Sequence, residues 1–170
     1  MLQERMERDM PQNFVPFLKE NARKDMIALL NERLVDTIDL TNAVKQAHWN
    51  LKGVGFIGVH ELLDDVAAHL RDGADMMAER VAMMGGMAQG TSETVAEKSS
   101  LTAYPTDIVS VEDHVKELVK RFNEYSTNVR KAIEAADEAG DEDSADLFTE
   151  VSRTAEKDAW FIGSNSAKAA

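Results

Sequence analysis

The chain has no cysteine among its 170 residues. That excludes disulfide cross-links and any metal site built on thiolate. No apolar run approaches the ~18 residues of a membrane span, and the opening MLQERMERDM is charged and holds no apolar core of signal-peptide length. The expectation is a cytoplasmic protein with no membrane partner. Basic residues are scarce: 19 Lys and Arg stand against 31 Asp and Glu, for a formal net charge of −12. A balance of that sign favours cations over nucleic acid. Strand-like alternation is missing too, since no useful length of chain follows a two-residue period.

What is present is helical periodicity. The spacing predicts a first helix from about Lys24 to Leu51, with Ile27, Leu30, Leu34, Ile38 and Thr41 on one stripe. Gly53, Gly55 and Gly58 break it. A second helix runs from near Gly58 to Gly85-Gly86, a C-terminal stop. Its core stripe reads Val59, Leu62 or Leu63, Val66, Leu70, Met77, Val81 and Met84. Residues 87–107 form a long polar connection closed by Pro105, with one short helix around Ser92 to Lys98. The third helix starts near Ser110, where Ser110 and Asp113 form a capping pair. It carries Val111, Val115, Leu118, Phe122, Tyr125, Val129, Ile133 and Ala136 on its stripe and stops at Gly140. The fourth covers about Asp143 to Asn165, N-capped by Asp141 or Asp143. Short breaks between helices one and two, and three and four, make antiparallel hairpins, and the long connection permits a crossover between them. The fold class is therefore all-α, a four-helix bundle in one domain over 1–170, with a mobile tail expected over 1–20 and a short one over 166–170.

Five metal-ligand side chains sit within this pattern: His48, His60, Asp64, Asp75 and Glu79. His60/Asp64 and Asp75/Glu79 are i,i+4 pairs, so on a helix each pair projects from one face. Imidazole plus carboxylate suits iron, zinc or manganese. Asp64 and Asp75 lie eleven positions apart, close to three full turns, so both pairs face the same way, separated by roughly 16 Å along the axis. Metal–ligand bonds are only ~2 to 2.5 Å long, so one ion cannot be held by both pairs of a straight helix. The pairs serve separate sites, or no metal, or two chains lie antiparallel about a two-fold axis so that one chain's His60/Asp64 meets the other's Asp75/Glu79. The ligand stripe begins one residue after the core stripe, about 100° around the helix. A place at the edge of the core face favours the third arrangement. No glutamate precedes any histidine by three residues, which speaks against a single-subunit di-iron bundle. Taken alone, each histidine reads as an ordinary hydrogen-bonded helix residue and each acid as a solvated one; the combination carries the argument. His69 lies about half a turn from the ligand face and reads as structural. His114, on an early turn of the third helix, is expected to face solvent, and Asp65 to lie on the surface.

The segments AHWNLKGVGFIGVHELLDD and DMMAERVAMMGG, with AYPTD and DLFTEVSRTAEKDAWFIGSN further on, resemble the Dps family (DNA-binding protein from starved cells) over about residues 26–165. The family's ferroxidase signature, a His in AHWN, a HxxxD pair and a DxxxE pair, falls on His48, His60 with Asp64, and Asp75 with Glu79, with no ligand missing. The resemblance implies a ferritin-like bundle with one long crossover, assembled as a hollow dodecamer. It also implies iron oxidation, preferably by hydrogen peroxide with oxygen as the other oxidant, at sites shared across a two-fold interface, and storage of ferric mineral inside, which spares DNA oxidative damage. Zinc or another divalent ion is able to take iron's place. By the same resemblance Trp49 sits beside the site and Trp160 farther off.

Two further stretches bear on partners. From Glu134 to Glu150 the chain holds eight acids and no Lys or Arg. Such a block draws in cations, and the resemblance makes Asp137, Glu142 and Asp146 pore-lining residues. The N-terminal region balances Arg5, Arg8, Lys19, Arg23 and Lys24 against Glu4, Glu7, Asp9, Glu20 and Asp25, and the C-terminal end offers only Lys168. Phosphate binding needs clustered cations. Direct DNA binding is thus expected to be weak or absent, and a nucleoid-associated packing protein is the less favoured reading.

Overall fold

The computed structural model describes residues 11–166; the parts of the expected tails at 1–10 and 167–170, with Arg5, Arg8 and Lys168, lie outside the described residues. Five helices follow in order: α1 (Glu20–Asn50), α2 (Phe56–Met83), α3 (Ser92–Lys98), α4 (Val111–Ala139) and α5 (Glu142–Gly163). Among the described residues there is no strand, only an isolated parallel bridge between Lys52 and Ser110. No described helix is long and apolar enough to cross a membrane.

The ends of these helices follow local chemistry. Gly55 precedes α2 with φ 81° and Gly140 ends α4 with φ 74°, left-handed conformations that a Cβ would strain. The Gly140 N–H closes the helix onto the Ala136 and Asp137 carbonyls. At the N-termini, the Ser110 hydroxyl oxygen accepts the Asp113 N–H at 3.0 Å and the Asp141 carboxylate accepts the Ser144 N–H at 3.2 Å. These caps satisfy donors that the helix leaves open.

The crossover sets the topology. Lys52 N donates to the Val109 carbonyl at 2.8 Å and Val111 N to the Lys52 carbonyl at 3.1 Å. The start of α4 therefore lies beside the α1–α2 turn, so residues 84–110 must traverse the whole bundle and α4 runs parallel to α2. Beyond the two hairpins, α1 packs on α4 and α2 on α5. The traverse is fastened to α1: the buried Asp36 carboxylate accepts the Ser100 N–H at 2.8 Å and its hydroxyl at 2.9 Å, and Asp39 accepts the Ser99 hydroxyl. This is the expected four-helix bundle with a short helix in its long crossover.

Leu30, Leu40, Val44, Leu63, Val66, Met77, Leu118, Phe122 and Phe148 are fully enclosed between the four long helices. Each such side chain contributes ~1.5–3 kcal/mol relative to exposure. Leu63, not Leu62, occupies the α2 stripe, and Ala132 is buried where Ile133 is half-buried. On α1 the stripe is displaced from the sequence reading: Met26 is buried while Ile27 and Ile38 are half-buried. The reason is that α1 touches α2, α3 and α4, so it has no single buried face for periodicity to reveal. The helix also begins earlier than expected, and the segment before it is anchored: Val15 and Leu18 are buried, Phe14 N donates to the Met83 carbonyl at 2.8 Å, and Arg23 donates to the Met84 carbonyl. From residue 11 onward the expected tail is packed against the end of α2.

His114 corrects another expectation. It is only 1% exposed, its Nδ1 lies 2.8 Å from the Tyr104 hydroxyl, and the Tyr104 ring stacks beside it at 6.0 Å. The crossover folds over this turn of α4 and shuts out water, which helix spacing alone does not disclose. Burial pushes the imidazole below its ordinary value, against smaller opposing effects of the Ile108 carbonyl and Asp113. Folded His114 therefore resists a proton that the unfolded chain accepts. Its contribution to stability is complete above the unfolded value of about 6.5 and falls as pH drops through it. We expect the urea midpoint to fall between pH 7.5 and 5.5, and His114→Gln to lose part of that dependence; an unchanged dependence in the variant would contradict this.

A buried ion pair ties α2 to the α4–α5 turn. Arg80 donates to Asp141 at 2.7 Å and to the Ser144 hydroxyl at 3.1 Å, and Asp141 has no exposure. Arg80→Met strands that carboxylate and should cost about 3–5 kcal/mol, read as a lowered urea midpoint. A midpoint shift worth under about 1 kcal/mol would show that Asp141 finds water or another donor.

Candidate metal centre

The tight turn between α1 and α2 brings His48, on the last turn of α1, against His60, on the second turn of α2. Their rings stack with centroids 3.7 Å apart and planes 17° from parallel. Each ring bonds the other residue's backbone: His48 Nδ1 to the His60 carbonyl at 2.8 Å, and His60 Nδ1 to the His48 carbonyl at 2.9 Å. A carbonyl only accepts, so both Nδ1 atoms carry the hydrogen, and in the neutral ring this tautomer leaves the lone pair on Nε2. A backbone acceptor that fixes the tautomer in this way is what orients a metal-ligating imidazole. Phe56, one turn before His60, closes the stack with its centroid at 5.1 Å.

Asp64 joins this group. Its Oδ1 lies 3.6 Å from His48 Nδ1 and accepts the Lys45 ammonium at 2.6 Å. The Lys45 hydrogen bond, aided by the nearby histidines, holds the Asp64 carboxyl below the usual carboxylate range. It is therefore anionic at neutral pH and its side chain is 59% exposed, open to an incoming cation.

Asp75 and Glu79 stand elsewhere on α2, both exposed. Since α2 is one unbroken helix from Phe56 to Met83, the roughly 16 Å between Asp64 and Asp75 stands. Asp75 lies at the rim of a groove of about 380 Å³ between α1 and α2, floored by Leu34, Ile38, Ala74 and Ala78. Among the described residues no three His, Asp or Glu side chains of the chain gather closely enough to hold an ion. The chain thus carries two separated donor groups, one of imidazoles with a carboxylate and one of two carboxylates. The donor set is nitrogen and oxygen only, which fits iron, zinc or manganese.

Beside the His48–His60 pair three apolar side chains, Trp49, Val54 and Ile57, are exposed. Trp49 lies under the Lys45 ammonium at 5.8 Å. Trp160 is exposed on α5 and packs on Phe161 at 4.9 Å. Asp137, Glu142 and Asp146 are all exposed around the α4–α5 turn. The acidic block is not wholly uncompensated there, because Arg80 reaches in from α2 to neutralise Asp141. Sequence reasoning missed Lys45 and Phe56 as neighbours of the centre. Each had a signal, since Lys45 is three residues before His48 and Phe56 four before His60, on the same helix faces.

Comparison with known proteins gives a consistent picture. Residues 27–169 match the family described as "Ferritin-like domain". The chain is 48% identical over 145 residues to the DNA protection during starvation protein of Agrobacterium fabrum, an alignment that covers 85% of this chain and 90% of that protein. DpsA14 from Streptomyces coelicolor superimposes with a TM-score of 0.88 at 31% identity, covering 94% of this chain and 95% of that one. Dps from Microbacterium arborescens, solved in its high iron form, gives a TM-score of 0.81 at 33% identity over 88% of this chain and 97% of that one.

Proposed function

The chain belongs to the ferritin-like family, within it to the Dps miniferritins, and from that premise we propose that it oxidises Fe(II) at sites shared between two subunits. His48, His60 and Asp64 of one subunit and Asp75 and Glu79 of the partner subunit form each site, and two identical sites arise at each two-fold interface. The reading rests chiefly on the His48–His60 pair, whose two Nε2 lone pairs are held ready while neither half of the ligand set suffices alone. The apolar surface at Trp49, Val54 and Ile57 and the groove beside Asp75 give a second subunit something to cover.

The residues divide the work. The imidazoles hold the ion as neutral ligands, which retain Fe(II) without excess charge. Asp64 and Glu79 supply anionic oxygen, which stabilises the product Fe(III) more than the substrate Fe(II). Asp75 bridges or orients the ion. With hydrogen peroxide as oxidant, two Fe(II) each give up one electron, the O–O bond breaks, and two protons complete two waters, so no hydroxyl radical is released. Oxygen serves as a slower oxidant. The exposed acids Asp137, Glu142 and Asp146 line a passage that admits iron to a hollow dodecamer, where ferric mineral is stored. Zinc competes for the same ligands. In a cytoplasmic setting this chemistry protects DNA by removing the reagents that damage it.

His60→Ala should slow Fe(II) oxidation by at least the ~10–100-fold that loss of a ligand's outer partner costs, with the assembly's mass unchanged. Unaltered stopped-flow kinetics would remove His60 from the site. Direct coating of DNA is disfavoured by the net charge of −12 and the balanced N-terminal charges. We expect no gel shift of duplex DNA at physiological salt; a tight shift there would favour the packing reading.

A further inference from the structure

A centre shared in the way proposed above fixes a register along α2, and that register has a midpoint. With His60 facing the partner subunit's Glu79 and Asp64 facing the partner subunit's Asp75, the two-fold axis crosses α2 between positions 69 and 70. The same register sets Ala68 of each chain opposite Arg71 of the other. Both residues belong to the ligand face. At ~100° per residue, His60, Asp64, Ala68, Arg71, Asp75 and Glu79 fall within about 100° of one another around the helix, and Arg71 lies near the middle of that stripe. Ala68 and Arg71 are exposed in the single chain.

Charge singles out Arg71. α2 carries six acids and two arginines. Arg80 is buried in its pair with Asp141, which leaves Arg71 as the one basic side chain that α2 turns to solvent. Among the described residues it has no ion-pair partner, although Asp75, one turn on, lines the same groove. Size points the same way. At each metal level, an ion and the side chains on both sides of it fill the space between two α2 helices. At the axis there is no ion, and the methyl group of Ala68 leaves a gap. An arginine stem is long enough to lie along that surface while its head stays with polar groups. The pairing is self-complementary, one arginine over one alanine, twice.

We propose that Arg71 is the positioning residue of the two-subunit centre: its stem packs along Ala68 of the partner subunit, and its guanidinium orients the carboxylates of Asp75 in its own chain and Asp64 of the partner subunit. The inference rests on the shared-site reading and adds to it a residue that binds no metal. Both carboxylates stand about one turn, roughly 6 Å, along the axis from Arg71, and in that reading both serve the same ion. The second chain covers the guanidinium and excludes water, which strengthens its attraction to the carboxylates. Arg71 touches neither iron nor oxidant; it acts through the two acids and through the register it sets.

The test uses the full-length chain and reads the axis and the arginine separately. The chain has no cysteine of its own, so Ala68→Cys introduces a single thiol. Its two copies lie about 4.5 Å apart along the axis in this register, and a short bismaleimide should join them into a covalent dimer. Arg71→Ala should slow Fe(II) oxidation roughly 10–100-fold, the cost of losing a ligand's outer partner. Ala68→Arg crowds four guanidinium groups at the axis and should weaken subunit pairing at least ~10-fold, read by native mass spectrometry over a dilution series. Exchanging the two residues, Ala68→Arg with Arg71→Ala, again sets one arginine over one alanine and should recover both pairing and most of the oxidation rate. Both positions are exposed, so circular dichroism should show an unchanged helical chain throughout. An exchange variant no better than Ala68→Arg, or an Arg71→Ala protein that pairs and oxidises iron like wild type, overturns the role of Arg71 and leaves the shared site standing. Failure of Ala68→Cys to give the covalent dimer means that the axis does not cross α2 here, and the shared-site reading falls together with the proposal.

Discussion

The account depends on a mismatch of lengths. A metal–ligand bond spans ~2 to 2.5 Å, whereas the two proposed ligand pairs of α2 are carried roughly 16 Å apart along one continuous helix. Nothing in the chain relieves this, because α2 is continuous through both pairs. A second copy in antiparallel register relieves it without any new residue. In the proposed site the same mismatch accounts for Asp64, Asp75 and Glu79 being exposed in the single chain, since a site shared by two chains must face out of each.

The rest of the proposed centre holds its two imidazoles in place within the single chain. A left-handed glycine at the head of α2 folds the hairpin tightly enough for His48 and His60 to stack, and the reciprocal bonds to each other's carbonyls fix both tautomers at once. Each ring thus supports its neighbour's geometry, and in the proposed site each also serves as a ligand. Lys45 supplies a cation beside Asp64 in the single protomer, a charge that an arriving metal ion must displace or share. Preorganisation of this kind removes ordering cost from the binding step.

Much of this was legible in the sequence. Ser110, Asp141, Gly140 and the short helix at Ser92–Lys98 follow from capping and turn chemistry that acts over three or four residues. The i,i+4 spacing of the proposed ligand pairs is equally local. What was not legible depends on contacts distant in sequence. His114 is buried by a crossover that periodicity treats as loop. Ile27 and Ile38 pack against the core but are only half-buried, because α1 is covered on several sides. Arg80 meets Asp141 across 61 residues, and no pattern within α2 announces that partner. The pairing of His69 with Asp158, 89 residues apart, was invisible for the same reason, although the reading of His69 as structural agrees with it.

Complementation between crippled subunits tests the shared site most directly. One chain carries His48→Ala with His60→Ala, the other Asp75→Ala with Glu79→Ala, and each alone should be inactive in Fe(II) oxidation. Random co-assembly makes half of the two-fold pairs mixed, and each mixed pair regains one of its two sites, so activity should return to about a quarter of wild type. If co-assembled particles stay as inactive as either parent, the ligands are not shared between chains and the account fails.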